Sequence, residues 1–183
     1  GGGGSVSSGM SSVRRQKRIP VSQDLVVLTE GRLQGLVSKA RKLHAAGAFK
    51  EAELVLASSL PPSRSVLGKE SLLVFQASLL HNEIRVALAQ YEVANDSLVE
   101  ILSMWTDVRG PDHPEVAHCA LTLAHMYLLQ GMYDASRTLY AQVTEALTSH
   151  LTADPMAAQK QPIGGMNVQT LYVQVTISYK LYV

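Results

Sequence analysis

Phe49, Tyr91 and Tyr133 stand 42 residues apart in each step along the chain. Each aromatic follows a small residue by two positions: Gly47, Ala89 and Gly131. Each precedes another by three: Ala52, Ala94 and Ser136. Seven residues beyond each aromatic lies Leu56, Leu98 or Tyr140. A fixed period of this length means one supersecondary unit repeated, so the chain folds as a stack in which each unit needs its neighbours.

The unit reads as a pair of helices. Leu36, Ala40, Leu43 and Gly47 recur at three- and four-residue steps, as one buried helix face requires. Gly47 ends that helix, and a second starts at Phe49 with Ala52, Leu56 and Leu60 on one face. Pro61-Pro62 is expected to stop it. The middle unit has a helix over roughly 70–88, a turn at Ala89-Gln90 and a helix over 91–107. Tyr91, Ala94, Leu98, Ile101 and Leu102 face inward there. Gly110-Pro111 closes that unit, and His113-Pro114 opens the third, with proline suited to a first helical position. Gly131 turns the third unit between its two helices. Close approach of the helices requires small residues, which Ala40, Ala52, Ala94, Ala124 and Ser136 supply. The aromatic after each turn is expected to wedge between the two helices.

Composition agrees with helix. The chain is 46% hydrophobic but only 5% aromatic, and Ala and Leu are plentiful. The net charge of +1 hides an asymmetry. Arg14, Arg15, Lys17 and Arg18 are the only charges in the first 20 residues; without them the remainder is net −3. The repeats therefore lack a nucleic-acid-like basic bias. The single cysteine, Cys119, permits no internal disulfide, which suits a reducing compartment. No apolar run is long enough to span a membrane.

Residues 1–21 read as a flexible Gly/Ser-rich and basic linker, its basic cluster reading first as a solvated tail and otherwise as a nuclear-import signal or an acidic-partner site. Residues 22–151 hold about three helix pairs. Residues 152–165 form a loop, and 166–183 start a further pair that the sequence truncates, as a fragment of a larger protein would. Trp105 is expected to pack between units.

Leu123, Ala124, Tyr127, Gly131, Tyr133, Ser136 and Tyr140 together resemble the tetratricopeptide repeat pattern. The 42-residue period, with Gly-Pro-Asp-His-Pro at 110–114, is similar to the longer variety found in kinesin light chains. The resemblance covers about residues 33–150. It implies an all-α right-handed solenoid of antiparallel helix pairs. It further implies a scaffold or adaptor, cytoplasmic and not an enzyme, that binds a protein or peptide in its concave groove. The matching groove positions are Gln34, Val37, Arg41 and His44 in the first repeat. They are Gln76, Leu79, Glu83 and Val86 in the second, and His118, Leu121, His125 and Leu128 in the third. Neither nucleic acid nor membrane insertion is expected, and self-association through exposed repeat ends is the further partner expectation. The alternatives are an architectural segment that works through its ends or convex face, and a regulatory region of an enzyme whose active site lies elsewhere.

Two departures stand out. Asn82 and Arg85 fall where a small and a large apolar residue belong, which a helix one turn longer, with Ala77 and Leu80 inward, would accommodate. Leu121 occupies the place of a groove-facing Asn in the kinesin light chain variety. No metal or cofactor is expected. His118 and His125, seven residues apart, sit roughly 10 Å apart along a helix, too far to share one zinc ion. Cys119 reads as a buried thiol and His113 as a helix-start residue. No phosphate-binding loop or recognisable catalytic pair is present.

Overall fold

The computed structural model of the 183-residue chain describes residues 21–153. Among these, six helices follow one another: α1 (Gln23–Ala45), α2 (Phe49–Leu67), α3 (Leu72–Ala87), α4 (Tyr91–Arg109), α5 (Pro114–Leu129) and α6 (Tyr133–Ala153). The described chain is all-α, and helices adjacent in sequence pack against each other as in a tetratricopeptide-like stack. The expected linker (save Val21), the loop from residue 154 onward and the segment 166–183 lie outside the described residues. Helix α6 runs through the first two residues of the expected loop.

Local chemistry sets the boundaries. Ser22 caps α1 by accepting the Leu25 amide on its hydroxyl, and the ring of His113 accepts the Glu115 amide ahead of Pro114. The three turns within pairs pass through left-handed backbone at equivalent places, with φ of 77° at Gly47, 58° at Ala89 and 75° at Gly131. At Ala89 a side chain has been forced into a conformation that glycine adopts freely.

Helix α1 also packs on α3, and α3 on α5, so the first helices of the pairs form one layer. The second helices, α2, α4 and α6, form the other layer and make no comparable contact among themselves within the described residues. The core follows this plan. Leu33, Val37 and Ala40 meet Ala52, Leu56 and Leu60, and the same cluster takes Val74, Ala77, Leu80 and Ile84 from α3. Phe75, Leu79 and Val86, also on α3, enter the next cluster with Leu98, Ile101, Trp105, Cys119 and Leu123. A third cluster joins Ala117, Ala120 and Ala124 to Tyr140, Val143 and Leu147. Thus α3 and α5 each feed two cores, which explains why no pair stands alone. Ala40, Ala52, Ala94 and Ala124 have no exposed surface, as close helix approach demands.

Three expectations are corrected. Helix α2 does not stop at Pro61-Pro62 but continues to Leu67. Each proline removes an amide donor inside the helix. Both are exposed, and burial of Leu60 and Ser63, with Leu67 packed on the shared core, holds the extra turns in place. Second, α3 is not lengthened: α3 and α5 have 16 residues each and begin at equivalent positions. Ala77 and Leu80 are buried without a register change, and Asn82 remains at the small-residue place with no exposed surface. Its amide donates to the Ser78 carbonyl at 3.0 Å and to the Ser97 hydroxyl at 2.9 Å. Third, Tyr133 does not wedge; it is 67% exposed. Phe49 and Tyr91 pack against cores to which a following pair contributes, whereas no described helix follows α6.

Candidate functional site

The first helices bring several of the predicted groove residues together. Arg41 and His44 from α1, Gln76, Leu79 and Glu83 from α3, and His118 from α5 line one pocket of about 170 Å³, with Phe75 and Leu80 beside them. The spacing explains the grouping. Gln76, Leu79, Leu80 and Glu83 recur at three- and four-residue steps, so one stripe of α3 faces the pocket. Glu83 Oε1 lies 3.2 Å from His118 Nε2, which ties α3 to α5 across the floor. His118 is buried, and its Nδ1 has no hydrogen-bond partner. The His44 ring rests against Phe49 at 5.4 Å between centroids, which orients the pocket's far wall.

The other groove candidates are placed differently. Val37 belongs to the first core and Val86 to the second, so both are buried; Leu79, which lines the pocket, is shared with that second core. Leu121 packs on the α5–α6 core. Gln34 and His125 are exposed, Leu128 is half-buried, and none of the three lines the pocket. The pocket can therefore offer a guanidinium, a carboxylate, an amide and an imidazole around a small apolar floor. That inventory suits hydrogen bonding to a polypeptide backbone and side chains.

Cys119 is fully buried, and its thiol donates to the Leu98 carbonyl at 3.6 Å. Burial, with a smaller contribution from Glu83, pushes the thiol up to about 12. It is a packed thiol rather than a nucleophile. His113 pairs with Glu115 at the start of α5, and burial lowers its pKa despite that carboxylate. Among the described residues no three His, Cys, Asp or Glu side chains are grouped so as to hold a metal ion. Trp105 is buried against Phe75, with ring centroids 4.3 Å apart, and packs in the core shared by α3, α4 and α5.

Sequence reasoning passed over His81. It is buried, and its Nε2 lies 3.2 Å from Glu53 Oε1, joining α3 to α2. Its signal was present in the departures at Asn82 and Arg85, which lie on the same side of α3.

No helix among the described residues is long and apolar enough to cross a membrane. No curated protein matches the chain. A family model described as tetratricopeptide repeat matches residues 75–149, most of the second and third helix pairs, and leaves the first pair outside. The matched segment is similar to tetratricopeptide repeats, in agreement with the stacked helix pairs and the 42-residue spacing.

Proposed function

We propose that this chain is a protein-interaction scaffold that holds a partner peptide or protein on the layer formed by α1, α3 and α5. Tetratricopeptide repeats in general mediate protein–protein contacts. The observation that carries the reading is the pocket where Arg41, His44, Gln76, Glu83 and His118 converge from three helices. Its mixed polar and apolar lining favours a partly apolar peptide over a strongly charged one. The kinesin-light-chain-like subtype and an adaptor role in the cytoplasm belong to the same proposal. The subtype is supported by the 42-residue period and by the way His113 and Pro114 start α5.

A second reading, assembly through the end of the stack, is favoured by Leu25, Val27 and Leu28, which are exposed on the first half of α1. One experiment separates the two. The variant Arg41→Ala/Gln76→Ala/Glu83→Ala, compared with wild type in affinity capture, is expected to lose its partner while its helical circular dichroism is unchanged. Capture that survives in this folded variant but is lost in Leu28→Glu contradicts the groove reading and supports the second.

A further inference from the structure

The second-helix layer contains a cleft of about 1030 Å³ between α2 and α4, floored by α3. Ser78, His81 and Arg85 of α3 point into it, with Arg64 and Ser65 of α2, Lys69 and Ser97 around them. Ser78 lies two residues from Gln76, a rotation of about 200° around a helix. One stripe of α3 thus serves the pocket described above, and the opposite stripe serves this cleft.

The repeat supplies its own control. The corresponding cleft between α4 and α6 measures about 550 Å³ and is lined by Leu102, Thr106, Pro111, Ala120 and Leu139. At a 42-residue offset these match Leu60, Arg64, Lys69, Ser78 and Ser97. His81 and Arg85 likewise correspond to Leu123 and Tyr127. The fold therefore builds this seam from mainly apolar residues with two carboxylates, Asp112 and Glu145, in one place and from cations and hydroxyls in the other. Packing alone does not require the charged set.

Donors outnumber acceptors in the charged cleft. Arg64 donates to the Ser78 hydroxyl at 3.3 Å. The Nε of Arg85 is buried and has no hydrogen-bond partner. Lys69 pairs with Glu100 at the surface, 3.2 Å apart. Glu53, beside the cleft, is engaged by His81. Glu53 also acts electrostatically on Arg85, but no carboxylate lines the cleft that the two guanidinium groups face. Leu60, Pro61, Val66 and Leu67 add an apolar wall. Residues 1–20 contain no acid, and residues 154–183 contain only Asp154 against two lysines, so neither segment supplies an acidic run.

We propose that this cleft is a second binding site, distinct from the groove, for an acidic peptide of a partner protein. A carboxylate of the peptide is held between Arg64 and Arg85, and an adjacent apolar side chain lies on the Leu60–Leu67 wall. Charge-assisted, two-guanidinium recognition supplies the specificity.

The test uses the full chain and the capped peptide leucyl-glutamyl-glutamyl-leucine, with its glutamine counterpart and inorganic phosphate as separate probes. The readout is the Nε–H signals of the arginines by nuclear magnetic resonance. The acidic peptide is expected to shift the Arg64 and Arg85 signals, and the glutamine peptide to leave them in place. Arg64→Thr/Arg85→Tyr, which installs the residues of the next repeat, is expected to weaken binding at least tenfold, and Arg64→Gln alone severalfold. Arg137→Ala, at an exposed residue of α6 that lines neither site, is expected to bind as wild type does. Absence of binding, equal binding of the glutamine peptide, or undiminished binding by Arg64→Gln overturns the proposal. Tighter binding of phosphate than of the peptide at the same arginines overturns the choice of a carboxylate.

Discussion

Ala89 is the position where sequence and backbone disagree most locally. The turn between α3 and α4 needs the left-handed conformation, and its counterparts Gly47 and Gly131 adopt it without penalty. An alanine there costs about 1–2 kcal/mol, part of which glycine would return as unfolded-state entropy. Ala89→Gly is therefore expected to stabilise the protein by roughly 0.5–1 kcal/mol, read as a higher urea midpoint with an unchanged slope. A lower midpoint would contradict the assignment of strain to this residue. Residue-scale features of this kind were legible in the sequence because they depend on the local backbone. The small-residue columns at Ala40, Ala52, Ala94 and Ala124 were legible for the same reason. His81 was not, because its partner Glu53 lies 28 positions away and only the packing of α2 on α3 brings the two together.

At the scale of elements, α3 has the most demanding surroundings. It feeds two apolar cores and also buries His81 and Asn82. Helical periodicity alone assigns a helix one buried face, so Asn82 and Arg85 read as faults in the repeat. A helix packed on both sides has further stripes to place, and Asn82 finds its partner on α4. The run through Pro61-Pro62 was illegible for a related reason: the packing that holds the end of α2 comes from the next pair.

The α2–α3 seam also sets a pH dependence. Burial, reinforced by Arg85, lowers the pKa of His81 from 6.5, and Glu53 only partly opposes this. The unfolded chain therefore takes up this proton before the folded one does. Stability is highest above the unfolded value and is lost as pH falls through 6.5 towards the folded value. His113, also lowered mainly by burial, acts in the same direction. The urea midpoint is expected to fall between about pH 7.5 and about pH 5.5, and the fall is expected to be smaller in His81→Gln. An equal fall in that variant would remove His81 from the explanation.

On the scale of the whole molecule, the stack presents two unlike surfaces. The layer of α1, α3 and α5 converges on a small mixed pocket, and the layer of α2 and α4 opens a larger cationic cleft. The 42-residue period made the stacked-pair architecture legible, because repetition constrains which faces must be buried. The pocket was legible only in part. Its positions followed from the repeat, but Val37 and Val86 were drawn into cores by neighbours that a single-repeat template leaves out.

The scaffold proposal is tested most directly by locating a bound peptide. A peptide selected from a display library on the full chain would be photo-cross-linked to two variants, one with benzoylphenylalanine replacing Gln76 in the pocket. The other would carry it in place of Leu54, which is exposed on α2. Cross-linking at position 76 and not at position 54 is the predicted result. Cross-linking at position 54 and not at position 76 would contradict binding on the α1, α3 and α5 layer.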